Sequence, residues 1–97
     1  MRYTFEWDPI KARENLRKHR ISLDRAAEVF LDPLAISIVD KEHSEHEERW
    51  VSLGKDRRGS VLILIHTFLE VSAGECKIRI ISSRKANKRE TRQYEET

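Results

Sequence analysis

The sequence predicts a small α+β domain. Two N-terminal helices cover one face of an antiparallel sheet of four to five strands, and a C-terminal helix follows the sheet. The 97 residues suffice for a single domain, 1–97, with one modest core. Two helix-start signals occur early in the chain, and alternating apolar segments joined by short turns follow them. The predicted element order is therefore β-α-α-β-β-β-β-α.

Capping residues mark the N-terminal elements. Residues 2–7, RYTFEW, alternate and are rich in aromatic side chains, which is typical of a short strand. Asp8 can accept hydrogen bonds from free backbone N–H groups, and Pro9 suits the first position of the helix PIKARENLRKH. Ser22 can cap a second helix, LDRAAEVFLD, which should end at Asp32 because a residue before proline avoids the helical region.

The middle of the chain is predicted to form the sheet, with strands LAISIVD, RWVSLG, SVLILIHTFLEV and CKIRIISS. The third of these is apolar on both faces, so we place it at the centre. The short turns KDRRGS and SAGE favour antiparallel pairing. The tail RKANKRETRQYEE is helical by composition. Its small apolar face, Ala86 and Tyr94, indicates packing that is weak or completed by a partner.

Composition narrows the class of protein. Charged residues make up 37% of the chain, but the net charge is only +2, which excludes a histone-like tail. The single cysteine, Cys76, excludes an internal disulfide and a cysteine metal cage. The N-terminus lacks the apolar run of a signal peptide, and VLILI is too short to span a bilayer. We therefore expect a cytoplasmic protein without a membrane partner.

Charge is distributed unevenly along the chain. Residues 40–48 hold five acidic residues and one lysine, whereas residues 77–92 hold seven basic residues and one glutamate. Such asymmetry can focus an electrostatic field on one surface. The basic run lies where the last strand meets the last helix, so this junction is a candidate site for an anionic ligand.

Strand alternation predicts which cations share the open face, the side of the sheet away from the two N-terminal helices. Ile78 and Ile80 should pack under the helices, which leaves Arg79 and Ser83 on the open face. The predicted open-face set is Arg49, Arg79 and one of His66 or Thr67, with Arg84 and Lys85 at the rim. Arginine binds phosphate oxygens bidentately, so this set could hold a phosphodiester and stabilise its transition state. The alternative is a half-solvated strand on which Arg79 pairs with Glu47 or Glu48.

Other polar residues have structural explanations that stay open. His43 and His46 lie in an acidic loop without a third fixed ligand, so no metal site is predicted. Lys18 and His19 end the first helix, where the helix dipole favours cations, although His19 could also serve as a general base. Trp50 could pack in the core or stack on a nucleobase.

Three long segments together resemble the BrnT toxins. They are FEWDPIKARENLRKHRISLDRAAEVFLDP, DKEHSEHEERWVSLG and IRIISSRKANKRETRQYEE, and the resemblance runs from Phe5 to Glu96. It implies a RelE-like fold and a ribonuclease that arrests translation as the toxin of a type II toxin–antitoxin pair. It also implies a BrnA-like antitoxin as partner, through which alone the complex contacts operator DNA. A dimer or a heterotetramer with the antitoxin is compatible with this assignment.

The resemblance directs the basic surface toward RNA, either free or as mRNA on the ribosome. We expect metal-independent cleavage without a cofactor, in which the substrate's own 2′-hydroxyl attacks the phosphorus. The predicted catalytic residues are Arg79 and Arg49 on the scissile phosphate, with His19, or secondarily His66, for proton transfer. The predicted RNA-binding residues are Arg84, Lys85, Ser83, Lys18, Trp50 and Lys88.

Two alternatives use the same cations. A non-catalytic nucleic-acid-binding module would bind RNA in a salt-sensitive way and leave it intact. A protein-interaction domain would instead use the basic surface to dock an acidic partner. An acidic partner with its own DNA-binding motif, encoded beside this chain, would favour the toxin over both.

Overall fold

The computed structural model describes residues 2–96. The strands are β1 (Arg2–Glu6), β2 (Ile36–Asp40), β3 (Arg49–Lys55), β4 (Val61–Thr67), β5 (Leu69–Ser72) and β6 (Glu75–Lys85). The α-helices are α1 (Pro9–His19), α2 (Leu23–Ala27) and α3 (Lys88–Glu95), and 3₁₀ helices span Glu28–Leu31 and Lys41–His43. The predicted second helix is therefore an α-helical turn that tightens into a 3₁₀ helix.

The six strands form one mixed sheet in the order β1-β6-β4-β3-β2, with β5 also beside β6. The α+β class is confirmed, but the prediction of an antiparallel sheet is wrong at one edge. There, β1 pairs with β6 in parallel, with Phe5 opposite Ile78. Short turns set the direction of the later strands. No short turn links β1 to β6, because α1, α2 and most of the sheet lie between them in the chain.

The predicted strand SVLILIHTFLEV is two strands, because β4 ends at Thr67 and β5 begins at Leu69. Both pair with β6. The register between β4 and β6 shifts, so that Ile65 faces Ser82 whereas His66 faces Ile80. Such a bulge inserts one extra residue and reverses the alternation of β6 beyond it.

The main core lies between the sheet and the N-terminal helices. It contains Ile21, Leu23, Ala26, Val29, Leu62, Leu64, Ile78 and Ile80. The predicted caps are present: Ile10 N–H donates to Asp8 Oδ1 at 2.8 Å and Arg25 N–H donates to Ser22 Oγ at 3.2 Å. On α1, the polar Asn15 is buried, whereas the apolar Leu16 is 49% exposed.

A second, smaller core lies on the open face, where α3 covers part of the sheet. It is formed by Leu53, Ile63 and Tyr94, with Ile36, Val51, Val61 and Ala86 at its edge. The Tyr94 hydroxyl donates to Asp32 Oδ2 at 2.5 Å, and this bond to a carboxylate, helped by burial, raises the pKa of Tyr94 to about 12. Among the helices within residues 2–96, none is long and apolar enough to cross a membrane.

Candidate functional site

Two arginines flank Thr67 on the part of the open face that α3 leaves uncovered. Arg49 of β3 stands opposite Thr67 of β4, and the backbone N–H of Arg79 on β6 donates to Thr67 Oγ1 at 3.2 Å. Ile78 and Ile80, the neighbours of Arg79, are buried under the helices, so Arg79 points the other way. Strand alternation thus places both arginines on the open face beside Thr67. Their side chains line two different clefts: Arg79 and Thr67 line one, the Arg79 cleft, and Arg49 lines the other.

Arg79 is paired with a carboxylate from the acidic loop. Its guanidinium Nη2 lies in hydrogen-bond contact with Glu47 Oε1, and the two side chains are 43% and 40% exposed. This contact matches the ion pair that the sequence allowed as the alternative role of Arg79. Solvent-exposed pairs of this kind contribute only about 0–1 kcal/mol. A phosphate group could therefore compete with Glu47 for the guanidinium.

Arg84 is held more firmly at the start of α3. Its two Nη atoms donate to the two oxygens of Glu90 at 2.8 and 2.9 Å. This bond lowers the pKa of Glu90 and raises that of Arg84. Glu90 also closes the cap of α3, because it accepts from the Asn87 backbone N–H at 2.9 Å. Lys85 ends β6 and Lys88 begins α3, and both are exposed.

His19 lies beside these cations at the end of α1. It is exposed, like Lys18, and it lines a cleft of about 380 Å³ with Ser82, Arg84 and Glu90. The floor of this cleft includes Ile65, two residues before Thr67 on β4. Because strand residues rise about 3.3 Å each, Ile65 in the His19 cleft and Thr67 in the Arg79 cleft are about 7 Å apart along β4.

Asn15 holds this end of α1 against β6, and sequence reasoning missed it. Its Nδ2 donates to the Ile21 carbonyl at 2.9 Å, and its Oδ1 accepts from the Ser83 backbone N–H at 3.0 Å. The signal was available: Asn15 lies three residues after Ala12, which packs on the core, and so on the same side of α1. Because His19 lies one turn further on, this clamp positions it.

Two predicted site residues lie on the wrong side of the sheet. His66 is 2% exposed and packs edge-on against the Phe30 ring, with centroids 4.9 Å apart, on the helix-covered face. Burial lowers its pKa, against a smaller effect of the bond to the Thr67 carbonyl. Thr67, and not His66, therefore reaches the open face. Ser83 is also buried, because the bulge reverses the alternation before it.

Trp50 likewise projects away from Arg49, as its neighbour on the strand must. Its indole N–H donates to Glu48 at 3.1 Å, and its ring lies 6.3 Å from that of Phe68.

The acidic loop surrounds a cavity of about 400 Å³ next to Arg49. Its lining residues are Glu42, His43, Glu45, His46, Glu47 and Arg49. His43 Nδ1 lies 2.9 Å from Asp40 Oδ2, so one imidazole is already paired. Across residues 2–96, no group of three or more histidine, cysteine or acidic side chains is arranged to hold a metal ion.

Comparisons with known proteins identify the family. Residues 7–90 match the family described as "Ribonuclease toxin, BrnT, of type II toxin-antitoxin system". The fold is similar to the crystal structure of the Brucella abortus ribonuclease toxin BrnT, with a TM-score of 0.65 and 21% sequence identity, covering 91% of this chain and 100% of that one. No curated protein matches the sequence significantly. The family match covers most of the chain, and the chain therefore belongs to the BrnT family of type II ribonuclease toxins.

Proposed function

We propose that this chain is a metal-independent endoribonuclease that arrests translation by cutting RNA. The observation that carries the proposal is that Arg49 and Arg79 lie on the two strands that flank Thr67, on a face that solvent reaches. Family membership supplies the ribonuclease class. The expectation of a RelE-like architecture belongs to this proposal and rests on the sequence resemblance.

The chemistry that we propose uses the nucleophile that RNA itself carries. The 2′-oxygen forms a bond to the adjacent phosphorus, and the bond from phosphorus to the 5′-oxygen breaks. His19 accepts the 2′-hydroxyl proton, and the departing 5′-oxygen takes a proton from solvent. Arg49 and Arg79 bind the non-bridging oxygens, whose negative charge grows in the transition state. The products are a 2′,3′-cyclic phosphate and a 5′-hydroxyl.

Flanking phosphates would follow the basic edge from β6 into α3. Lys85, Lys88 and Lys18 are exposed there and can neutralise a passing strand. Arg84 is already bonded to Glu90, so we assign it a role in orienting the RNA strand and no role in the cleavage reaction. The burial of Ser83 removes it from the proposed contacts with flanking phosphates, and the burial of His66 removes it from the proposed proton transfer.

We further propose that a BrnA-like antitoxin binds the apolar groove between α3 and β2. Its lining residues are Ile36, Ile38, Val51, Leu53, Ile63, Glu90, Gln93 and Glu96, around about 610 Å³. Ile38, on the edge strand β2, is 62% exposed and continues the apolar lining of the groove, and a contiguous exposed apolar groove is typical of a protein–protein interaction site. The groove adjoins Arg84, so an antitoxin seated there would also screen the RNA path.

The experiment that tests the function is cleavage of a defined single-stranded RNA by the purified chain, with EDTA present, followed by analysis of the new ends. We expect fragments that carry 2′,3′-cyclic phosphate and 5′-hydroxyl termini. Intact RNA, both alone and with translating ribosomes, would contradict the proposal. Salt-sensitive retention of that intact RNA would favour the non-catalytic binding module.

A further inference from the structure

The helix-covered face has an opening at one end, next to the Arg79 cleft. This aromatic pocket has a volume of about 240 Å³ and is lined by Tyr3, Phe30, Ser37, Trp50, His66 and Phe68. Tyr3 is 39% exposed and Phe68 is 38% exposed, so large rings face solvent there. The Trp50 and Phe68 rings form an aromatic pair, with centroids 6.3 Å apart and planes tilted by 59°. Aromatic surfaces of this kind stack on unpaired nucleobases.

One chain of hydrogen bonds supplies the polar side of the aromatic pocket. His66 Nδ1 lies 2.9 Å from the Thr67 carbonyl oxygen, which can only accept, so this nitrogen carries the proton. Burial lowers the pKa of His66 and keeps the ring neutral, so Nε2 can only accept. Ser52 Oγ, 2.6 Å from Nε2, must therefore donate to it.

The donor-to-acceptor direction of these hydrogen bonds determines what the Ser37 hydroxyl presents to the aromatic pocket. The hydrogen of Ser52 is committed to His66, so in the 2.6 Å contact between Ser37 and Ser52 the donor is Ser37. The hydroxyl of Ser37 then has no hydrogen left to donate into the pocket. It presents lone pairs alone, and a ligand must bring an N–H donor to meet it.

The aromatic pocket and the Arg79 cleft share one wall residue. Phe68 lines the aromatic pocket on one side, and on the other it lines a cleft with Thr67, Lys77 and Arg79. A strand whose phosphate lies on Arg79 can therefore place an adjacent base on the far side of Phe68.

We propose that the aromatic pocket binds one unstacked nucleobase beside the scissile phosphate and prefers adenine or cytosine, whose amino group is on the Watson–Crick edge where uracil has its 4-carbonyl oxygen, over uracil. This inference rests on the proposed function, because it takes RNA as the ligand. Ser37 accepts from the amino group, whereas the carbonyl oxygen that uracil carries at the corresponding position would face lone pairs. Leaving a polar group unpaired in this way lowers affinity by about ten-fold.

The test measures binding without chemistry. Short labelled oligocytidylate and oligouridylate with 2′-O-methyl groups lack the nucleophile, so fluorescence anisotropy reports affinity alone. We expect wild type to bind oligocytidylate about ten-fold more tightly. Ser37→Ala should abolish this preference, and Ser72→Ala, which alters an exposed serine outside the pocket, should keep it. Trp50→Leu should weaken both oligonucleotides by about ten-fold.

Equal affinities in wild type, or a preference that survives Ser37→Ala, would overturn the inference. Cleavage of natural RNA without the cytosine preference would contradict the proposed base-binding role of the aromatic pocket and would support the proposed ribonuclease function. A cytosine preference without any cleavage would support the base-binding role of the aromatic pocket and would contradict the proposed ribonuclease function. Binding of neither oligonucleotide by a chain that also fails to cleave would contradict both.

Discussion

The two faces of the sheet differ in how their polar groups are satisfied. On the helix-covered face, His66 is buried, neutral and fixed by Ser52 and the Thr67 carbonyl. On the open face, Arg79 is charged and half-exposed, and its ion pair with Glu47 is one that solvent weakens. Neighbours on one strand, His66 and Thr67, belong to opposite faces. Alternation therefore separates a stable, neutral environment from a charged surface that a ligand can reorganise.

This comparison makes separate predictions for stability and for activity. Changes on the helix-covered face should lower the free energy of unfolding, and changes on the open face should alter ligand binding or cleavage while the fold persists.

The largest loss of stability is expected from Asn15→Ala. The substitution removes partners from two backbone groups, the Ile21 carbonyl and the Ser83 N–H. Each buried group left unpaired costs about 1–3 kcal/mol, so we expect a loss of about 3 kcal/mol in urea unfolding. Glu14→Ala, at an exposed position on the same helix, is the control. A loss below 1 kcal/mol would mean that the clamp does not hold α1.

Antitoxin binding should depend on the apolar groove of the open face. Ile38→Asp places a charge where the antitoxin should bury an apolar side chain, so we expect affinity for the cognate antitoxin to fall about 10- to 100-fold. RNA cleavage and the melting temperature should change little, because Ile38 is 62% exposed in the free chain. Isothermal titration of the antitoxin checks this, with Leu69→Asp, on another exposed strand, as control. Equal affinities for wild type and Ile38→Asp would place the antitoxin elsewhere.

Removal of the carboxylate that faces Arg79 should strengthen RNA binding. Glu47→Gln frees the guanidinium for phosphate, and an exposed ion pair of about 0.2–1 kcal/mol corresponds to a gain of up to about five-fold in affinity. Non-cleavable RNA measures this gain, and Glu45→Gln in the same loop is the control for net charge. If Glu47→Gln instead reduced cleavage by a hundred-fold or more without loss of binding, Glu47 would be the general base in place of His19.

The smallest effect is expected in acid. Burial alone would raise the pKa of Asp32, but bonds from the Lys55 N–H, the Tyr94 hydroxyl and the Leu34 N–H together lower it below its ordinary 3.8. A carboxyl whose pKa is lower in the folded state stabilises it above about pH 4 and loses this contribution as pH falls through the lowered value. The melting temperature should therefore fall less steeply with decreasing pH for Asp32→Asn than for wild type. Parallel curves would show that Asp32 does not contribute.

The sequence predicted those features that depend on local rules. Asp8 and Ser22 cap their helices, and alternation brings Arg49 and Arg79 to one face. The features that it missed depend on contacts between distant segments. The parallel pairing of β1, the break at Phe68 and the bulge near Ile65 are all set by how β6 meets its neighbours.

The bulge explains why the predicted orientation of Ser83 was wrong. One extra residue in β6 reverses the side chains that follow it, so Ser83 turns inward although strict alternation from Arg79 places it outward. Alternation alone could not decide whether His66 or Thr67 lies on the open face, because a strand that is apolar on both faces has no polar side to orient it.

The most direct test of the account compares RNA cleavage by wild type, Arg79→Ala and Arg58→Ala in EDTA. Arg58→Ala removes one charge from the exposed β3–β4 turn and controls for the loss of net charge. We expect Arg58→Ala to cleave like wild type and Arg79→Ala to cleave about 10²- to 10³-fold more slowly, the usual cost of removing one donor to a developing negative charge. Wild-type cleavage that stops in EDTA, or Arg79→Ala that cleaves at the wild-type rate, would contradict a metal-independent site on the open face.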